Sequence, residues 1–418
     1  MKFIYRGNLL FYFLILSISL HAEDTLKINI HQGDSIFLKN SFYLMAASMN
    51  IEAQKAQILQ AKLYPNPTFS AEFNLYDPEN KKVFHLGKNG QMSFALEQLI
   101  IIGGKRKKEI EMAKTNASIS ELEFQQLVKN LKYELHTHLF SIGQQEFLLH
   151  KYNQQLTLLD SLLSAYQNQV DKGNIPMKDL VRLKGAYLKL NNDRAETFKE
   201  YYQSQSIVQK ILQVSSVVKF DFDEDYIIKY IQPTSLEDLQ ANVSSNRPDL
   251  LILEQNNILS EQYIQYQKKL AIPDITVFTS YDQRSGVFRN EMNTGFSIPL
   301  PLWNRNQGNI KTAQFALQEN QYNYDGLYLE ILTNIKNSYA FYSQTVLEFE
   351  KSNTLYNEDF EITIQAMTTN FQKRNISIIE FIDFFESYNE VLMELSRIKT
   401  QLVGSAEELN LLTGTDIF

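Results

Sequence analysis

The sequence predicts a mainly α-helical chain with a β-barrel portion, built as two tandem structural repeats, each a β-hairpin plus a long helical hairpin. Three observations support this fold class. Apolar residues recur every three or four positions over two long runs, which is the period of about 3.5 residues found in coiled coils. Four shorter segments alternate apolar and polar residues, as β-strands do. The two halves also resemble each other at a spacing of about 200 residues, most clearly where AYQNQVDKGNIP at Ala165 aligns with AMTTNFQKRNIS at Ala366.

Composition excludes several classes of function. The chain has 418 residues, of which 44% are hydrophobic and 21% charged, as in ordinary folded proteins. Its 40 Lys and Arg against 48 Asp and Glu give a formal net charge of −8, which makes nucleic acid an unfavourable partner. It has no cysteine, and this excludes disulfides, thiolate nucleophiles and Cys-ligated zinc. No nucleophile with a base, phosphate loop or catalytic carboxylate pair is found, so we expect neither an enzyme nor a cofactor.

Residues 1–22 predict a secretory signal peptide. Lys2 and Arg6 precede an apolar run from Leu9 to Leu20, and Ala22 offers a small residue for cleavage. The alternative is a membrane anchor, but the run is shorter than the roughly 20 residues that a helix needs to span a bilayer. No later segment has about 18 consecutive apolar residues, so we expect no transmembrane helix.

The first repeat is predicted to cover residues 23–214. It contains a helix, strands near residues 67–76 and 91–101, and long helices near residues 105–172 and 176–214. At about 1.5 Å per residue, the first long helix would extend on the order of 100 Å. A helix of this length must pack side by side with others.

The second repeat is predicted to cover residues 247–418. It contains a helix, strands near residues 274–282 and 293–301, and long helices near residues 304–373 and 377–413. Its long apolar run has the same period as that of the first repeat. We therefore expect the two repeats to pack as similar units.

The four strand segments predict a barrel to which several copies of the chain contribute. Segments such as TFSAEFNLY at Thr68 and QMSFALEQL at Gln91 have the length, roughly 8 to 11 residues, and the two-residue period of transmembrane β-strands. Soluble amphipathic strands are the alternative. Four strands cannot close a barrel, and lipid does not tolerate an open sheet edge, so several copies must combine their strands. On the side of the helices, each segment ends at residues that interrupt a strand: Pro65, Pro67, Gly103, Gly104, Pro273, Pro299 and Pro301.

Several motifs together resemble those of one known family. They are YPNP at Tyr64, LEQLIIIGGKRK at Leu96, GNIPMKDL at Gly173, NRPDL at Asn246, SIPLPLWNRNQGNI at Ser297 and RNISIIEF at Arg374. In this order they resemble the TolC-type outer-membrane efflux family over nearly the whole chain after the signal peptide. The motifs GGKR and PLPLWNRNQG resemble those of the cobalt-zinc-cadmium resistance branch of that family.

The resemblance implies a homotrimer that forms a 12-stranded β-barrel in outer-membrane lipid and an α-helical barrel in the periplasm. It places an equatorial region at residues 215–246, between the repeats. The implied function is a passive exit duct in a tripartite efflux pump, together with a periplasmic adaptor protein and an inner-membrane pump of the RND type. Heavy-metal cations are the favoured cargo, and drug efflux or type I protein secretion by the same fold are the alternatives. A secreted structural coiled-coil protein is the alternative from a different class.

The resemblance also assigns the two helix-hairpin tips to adaptor docking. The residues concerned are Lys172, Gly173, Asn174 and Asp179 in the first repeat, and Lys373, Arg374 and Asn375 in the second. The family usually has glycine where this chain has Arg374. The turn, and with it the docking, could therefore differ at the second tip.

Glu380 and Asp383 fall where the family places an acidic ring that constricts the periplasmic end of the tunnel. Three copies would place six carboxylates around one opening, and such a ring favours cations. The alternative role is capping, because Ser377 and Glu380 have the spacing of a capping box and Asp383 lies near the same positive helix end. One residue could have both roles.

The sequence predicts no metal site. His136 and His138 are two positions apart and point in different directions on a helix, whereas Glu134 and His138 share a face. One Glu/His pair lacks the three or four ligands of a zinc site. We expect a solvated or interhelical role for these side chains.

Overall fold

The computed structural model describes residues 25–222, 224–285, 288–356 and 359–418. The predicted signal peptide, residues 1–22, lies outside them. Within the described residues the chain is mostly helical and contains a four-stranded sheet. None of the helices in these ranges is both long enough and apolar enough to cross a membrane.

The first half contains the sheet's first two strands between helices. Strand β1 (Thr25–Ile28) is followed by helices α1 (Ile30–Asn40) and α2 (Phe42–Lys62). Next come strand β2 (Thr68–Phe73), the short pair β3 (Tyr76–Asp77) and β4 (Lys82–Val83), and strand β5 (Met92–Ile100). The long helices of this half are α3 (Lys105–Asp171) and α4 (Met177–Leu212).

The second half begins with a short mixed region. The mixed region contains strand β6 (Val217–Phe220), a 3₁₀ helix (Glu224–Tyr230), and helices α5 (Leu236–Gln240) and α6 (Val243–Asn246). Helix α7 (Pro248–Leu270) then leads to strands β7 (Ile275–Ser285) and β8 (Phe288–Ser297). The long segments are helices α8 (Gln307–Leu355), α9 (Asp359–Gln372) and α10 (Ile378–Thr413).

The sheet is antiparallel, with the strand order β2, β5, β7, β8, so β2 and β8 lie at its edges. Alternation gives it one apolar and one polar face. On the apolar face, Phe94 packs against Phe69 and Tyr281, with ring centroids 6.1 and 6.4 Å apart. On the polar face, the strand register aligns Glu72, Asp282 and Glu291 in one row, together with Ser93.

Helix α3 lies in the middle of the helical layer. It contacts α2 and α7 near its start, and α4 and α10 farther along, while α8 packs against α7 and α10. Helices α2 and α4 therefore lie at one edge of the layer, and α8 and α9 at the other. Apolar contacts fall into two clusters, one around Leu139 and Leu402 and one nearer the hairpin tips around Leu159 and Phe381.

Two predicted elements differ from the structure. The predicted helix near residues 304–373 is two helices, because α8 ends at Leu355, Tyr356 is extended with φ −93° and ψ 110°, and α9 begins at Asp359. The predicted strand near residues 67–76 ends at Phe73, and Tyr76 pairs with Val83 in the β3–β4 hairpin instead.

Candidate functional site

The tip between α3 and α4 is a Schellman motif, the glycine-dependent way to end a helix. Gly173 has φ +73°, in the left-handed region that favours glycine. Its N–H donates to Val170 O at 2.8 Å, and the Asn174 N–H donates to Gln169 O at 2.9 Å. The Asn174 side-chain amide also donates to Gln169 Oε1 at 2.9 Å. Lys172, at the C-cap, is exposed beside this turn.

The tip between α9 and α10 has the same hydrogen bonds. Arg374, with φ +62°, donates its N–H to Phe371 O at 3.0 Å, and the Asn375 N–H donates to Asn370 O at 2.8 Å. The Asn375 amide donates to Asn370 Oδ1 at 3.1 Å, and Lys373 is exposed. The backbone turn is therefore the same as in the first tip. A non-glycine residue in this conformation costs about 1–2 kcal/mol, so the second tip is the less favourable copy.

The two helices that leave the tips begin differently. Helix α4 follows Pro176, which has no side-chain cap, and half-buried Asp179 lies in its first turn with its N–H bonded to Pro176 O at 3.0 Å. Helix α10 begins with a full capping box: the Ser377 N–H donates to Glu380 Oε2 at 2.7 Å, and the Glu380 N–H donates to Ser377 Oγ at 3.3 Å. The bond from the Ser377 backbone holds the pKa of Glu380 below its ordinary value. Asp383 is exposed one turn farther on.

Aromatic rings join the two tips. Tyr166 of α3 stacks on Phe371 of α9 with ring centroids 5.5 Å apart. Phe371 in turn stacks on Phe381 of α10 at 4.3 Å, and Phe381 contacts Phe385 at 5.8 Å. Phe381 and Phe385 are fully buried. The tips therefore pack as one unit, with their charged residues around an aromatic centre.

Above the tips, one lysine bridges the two helical hairpins. Lys189 Nζ of α4 lies 3.3 Å from a Glu390 oxygen and 3.5 Å from a Glu386 oxygen, both on α10. All three side chains are partly exposed, so each pair is individually weak. Beside the bridge is a small cavity of about 20 Å³ that also contacts Asn389. The bridge is the ion-pair contact that links α4 directly to α10 in the described residues.

All of the strand-interrupting residues lie between a helix and a strand. Gly103 and Gly104 have φ +76° and +79°, and a Cβ on Gly103 would lie 3.0 Å from the Ile272 side chain. The prolines lie in the other three connections: Pro65 and Pro67 before β2, Pro273 before β7, and Pro299 and Pro301 after β8.

Sequence reasoning missed the ion pair that joins the two halves of the chain at these connections. Lys105 Nζ lies 2.8 Å from Asp274 Oδ1, and the Ile102 N–H donates to the same oxygen at 3.0 Å. The Lys105 side chain is buried. Lys105 follows two glycines and Asp274 follows a proline, so each lies beside a residue that the sequence analysis noted. Their pairing, however, depends on contact between segments 169 positions apart, and no local sequence pattern reveals such a contact.

The acidic row on the polar face of the sheet was also missed. Glu72 pairs across Ser93 with Asp282, which pairs with Glu291. Asp282 accepts a hydrogen bond from the Gln91 side chain at 2.9 Å. Each carboxylate is visible as a polar position of an alternating strand, but only the strand register places the three in one line.

His136 lies in a buried charge network where α1, α3, α10 and the 3₁₀ helix meet. Its Nε2 is 2.8 Å from Asp34 Oδ1 and its Nδ1 is 2.9 Å from Glu407 Oε1. Tyr230 and Asn410 donate to Glu407 at 2.7 and 3.1 Å. Burial alone would lower the pKa of His136, but the hydrogen bonds to Asp34 and Glu407 outweigh it and raise this pKa. Burial likewise opposes ionisation of Glu407, but its bonds and the His136 charge lower its pKa.

His138 is separate from this network. Its Nδ1 is 3.4 Å from Ser204 Oγ, and burial lowers its pKa. Among the described residues, no group of three or more His, Asp or Glu side chains is arranged to hold a metal ion.

Comparison with known proteins agrees with this architecture. The family model for the outer membrane efflux protein matches residues 240–415. The cobalt-zinc-cadmium resistance protein CzcC of Cupriavidus metallidurans is 23% identical over 292 residues, which are 67% of this chain and 64% of CzcC. The aligned region thus spans less than two thirds of the length of that relative.

Solved structures show the same fold at low sequence identity. A membrane protein from Pseudomonas aeruginosa has a TM-score of 0.75 at 14% identity, covering 94% of this chain and 92% of that one. The CmeC outer membrane channel of Campylobacter jejuni has a TM-score of 0.75 at 11% identity, covering 93% of this chain and 86% of that one.

Proposed function

Because the chain belongs to the outer membrane efflux protein family, we propose that three copies form an exit duct that carries metal cations out of the periplasm. The family resemblance predicted from the motifs is confirmed, and the protein is an outer-membrane protein that extends into the periplasm. The observation that carries the proposal is that the sheet has two open edges that can pair with each other between copies.

The open edges of the sheet favour a closed ring of copies. Each strand of the sheet is antiparallel to its neighbour, so β2 and β8 run in opposite directions. β8 of one copy can therefore extend the ladder onto β2 of the next, and a contact between two different surfaces generates a ring. Three copies of four strands give the proposed 12-stranded barrel, which leaves no edge exposed to lipid.

Both edges of the helical layer carry exposed apolar side chains. On each edge, exposed apolar side chains recur at multiples of seven positions, which is the spacing of a coiled-coil contact. They are Phe315, Tyr322 and Leu329 on α8, and Val181, Leu188 and Tyr202 on α4. We propose that the α8 and α9 edge of one copy packs against the α2 and α4 edge of the next.

The apolar face of the sheet fits outer-membrane lipid. Phe69, Met292 and Phe296 are exposed on this face in the single chain. Trp303 follows β8 at the end of the sheet nearest the helices, and its side chain is 86% exposed. This position fits the membrane–water interface, where tryptophan and tyrosine are enriched. The polar face would then line the pore.

The charges that would line the path favour cations. Glu72, Asp282 and Glu291 form one row near the outer end of the sheet, and Glu380 and Asp383 lie at the tip of α10. Rings of carboxylates favour the entry of cations into a pore. Together with the name of CzcC, this supports heavy-metal cations as cargo, and drug efflux or type I secretion remain the alternatives.

We propose that the tips are where the duct closes and where partners dock. Glu380 and Asp383 would form the periplasmic gate, and the Lys189 bridge to α10 would hold the closed state. The exposed residues of the two turns, from Lys172 and Lys373 onward, would contact a periplasmic adaptor protein and an inner-membrane RND-type pump. Binding of these partners shifts the gate only if they contact the open state more favourably.

The assembly can be tested by cysteine cross-linking, because the natural chain has no cysteine. A chain carrying Ala71→Cys on β2 and Thr294→Cys on β8 should give a ladder that ends at three copies when treated with a bifunctional reagent. The control is Ala95→Cys with Ser280→Cys, which are register partners within one chain and should cross-link without a ladder. If the control variant cross-links but the variant with cysteines on β2 and β8 gives no ladder, the proposed ring of three copies is wrong.

The gate can be tested with a substitution that removes charge but keeps the cap. Glutamine at the third position completes a capping box as glutamate does, so Glu380→Gln should leave helix α10 intact. Glu380→Gln with Asp383→Asn should reduce the preference for cations in single-channel recordings. If selectivity is unchanged, the two residues act in capping alone.

The cargo can be tested by growth of a deletion strain on zinc, cobalt, cadmium, copper and a panel of drugs. Sensitivity to metals that is restored by the wild-type gene supports the proposal. Sensitivity to drugs alone supports the alternative.

A further inference from the structure

The loop between β2 and β5, residues 74–91, is held by a buried carboxylate. Asp77 accepts hydrogen bonds from the Glu79 N–H and Asn80 N–H, both at 3.0 Å, and from the Asn80 side chain at 2.8 Å. Asp77 Oδ2, which accepts from the Asn80 side chain, is also 2.6 Å from His85 Nδ1. The His85 bond, with the Asn80 bonds, holds the pKa of Asp77 well below its ordinary value. These hydrogen bonds therefore give the loop a defined conformation.

That shape places apolar side chains in the open. Phe84 has φ +48°, a conformation that is rare for a bulky residue and is kept only where the surroundings enforce it. The Phe84 N–H donates to Leu75 O at 3.1 Å, which ties the turn back to the strand end. Val83, Phe84 and Leu86 are nevertheless 65%, 57% and 51% exposed.

Three exposed lysines surround these side chains. Lys81, Lys82 and Lys88 are exposed, and none forms an ion pair with a carboxylate of the described residues. The two acidic residues of the loop are already engaged, since Asp77 is bonded to His85 and Glu79 lies 3.0 Å from Arg284. A surface that combines apolar tips with unpaired lysines is complementary to phosphate-bearing lipid headgroups above their acyl chains.

The loop meets both faces of the sheet at its outer end. On the polar face, which also carries Asp282, Arg284 contacts Glu79 and Asn89. Gln283 continues the apolar face of β7 beyond Tyr281 and donates its side-chain amide to Gly87 O. Leu86 and Lys88 flank that contact. The loop is at the end of the strands opposite the helices, which under the proposed function is the outer surface of the membrane.

We propose that this loop, residues 74–91, binds the anionic lipid headgroups of the outer leaflet and anchors the barrel in it. This inference rests on the proposed function, because it requires the barrel to be in the membrane. Lys81, Lys82 and Lys88 would contact headgroup phosphates, while Val83 and Phe84 would enter the headgroup boundary.

The test is lipid binding by the full mature protein in detergent, followed by native mass spectrometry. Phosphatidic acid, which carries a phosphate monoester, is compared with zwitterionic phosphatidylcholine. The wild type should bind phosphatidic acid more tightly, and a variant with Lys81→Gln, Lys82→Gln and Lys88→Gln should lose affinity by about fivefold for each lysine removed. A control with the same loss of charge on exposed helical lysines, Lys199→Gln, Lys210→Gln and Lys351→Gln, should bind as the wild type does.

Equal binding of phosphatidic acid by the loop variant and the control overturns the inference. A loop variant with altered channel conductance but unchanged lipid binding would instead show that the loop covers the pore, and would also overturn it. The same spectra report the number of chains. A trimer without headgroup discrimination contradicts only this inference, whereas the absence of a trimer contradicts the proposed function.

Discussion

Replacing His136 with glutamine should destabilise the protein and remove a loss of stability at alkaline pH. The imidazole side chain is only 7% exposed and lies between Asp34 and Glu407. Glutamine has a similar size but cannot become positively charged, so it leaves two carboxylates without their cation. Removing one partner of a buried ion pair costs about 3–5 kcal/mol. Tyr230 and Asn410 still donate to Glu407, so we expect about 3 kcal/mol, the lower end of that range.

The pH dependence follows from the directions of the two pKa shifts. The pKa of His136 is raised above 6.5, so its stabilising contribution is complete below pH 6.5 and is lost as pH rises through the higher folded pKa. The pKa of Glu407 is lowered below 4.5, so its contribution is present above pH 4.5 and is lost as pH falls through the lower folded pKa. The network should therefore contribute most to the free energy of unfolding between pH 4.5 and pH 6.5.

The assay is the thermal unfolding midpoint of the detergent-solubilised protein, followed by circular dichroism across a series of buffers. The wild-type midpoint should fall as pH rises above 6.5, and the midpoint of His136→Gln should be lower and lack that fall. His138→Gln is the control, because His138 faces Ser204 outside the network and should leave the alkaline fall in place. A wild-type midpoint that stays constant as pH rises above 6.5, or a fall that persists in His136→Gln, would refute the reasoning.

Three further predictions concern the tips, the connections and the sheet. Arg374→Gly should stabilise the second tip by about 0.5–1 kcal/mol, because glycine relieves the left-handed strain but adds freedom to the unfolded chain; slower hydrogen exchange of the tip amides would show it. Asp274→Ala should destabilise the protein by about 3 kcal/mol, because it leaves Lys105 buried without a partner, and adding Lys105→Met should recover most of the loss in thermal unfolding. Neutralising the acidic row with Glu72→Gln, Asp282→Asn and Glu291→Gln should shift the reversal potential in a salt gradient toward zero, whereas an unchanged potential would show that the row does not face the ion path.

The features that sequence could predict are those carried by local periodicity. The long helices follow from spacings of three and four, the strands from alternation, and the connections from Pro and Gly, since each of these signals lies within a few residues of the structure it causes. The pair His136 and Glu407 is separated by 271 positions. The pair forms because helices α3 and α10 pack side by side with these two residues at the same height. Each helix can be predicted from its own sequence, but their relative position cannot. The acidic row of the sheet was missed for the same reason.

The expectation that Arg374 could alter its turn was wrong, and the reason lies in relative magnitudes. The preference for glycine at this position amounts to about 1–2 kcal/mol. Against it act the two backbone hydrogen bonds of the Schellman motif, the Asn375 bond to Asn370, and the stack of Phe371 on Phe381, each of which contributes on the order of 1 kcal/mol. Their sum exceeds the strain, so the turn keeps its shape and the strain is retained within it. A rule about one residue type therefore fails where tertiary contacts on both sides of that residue fix the same backbone.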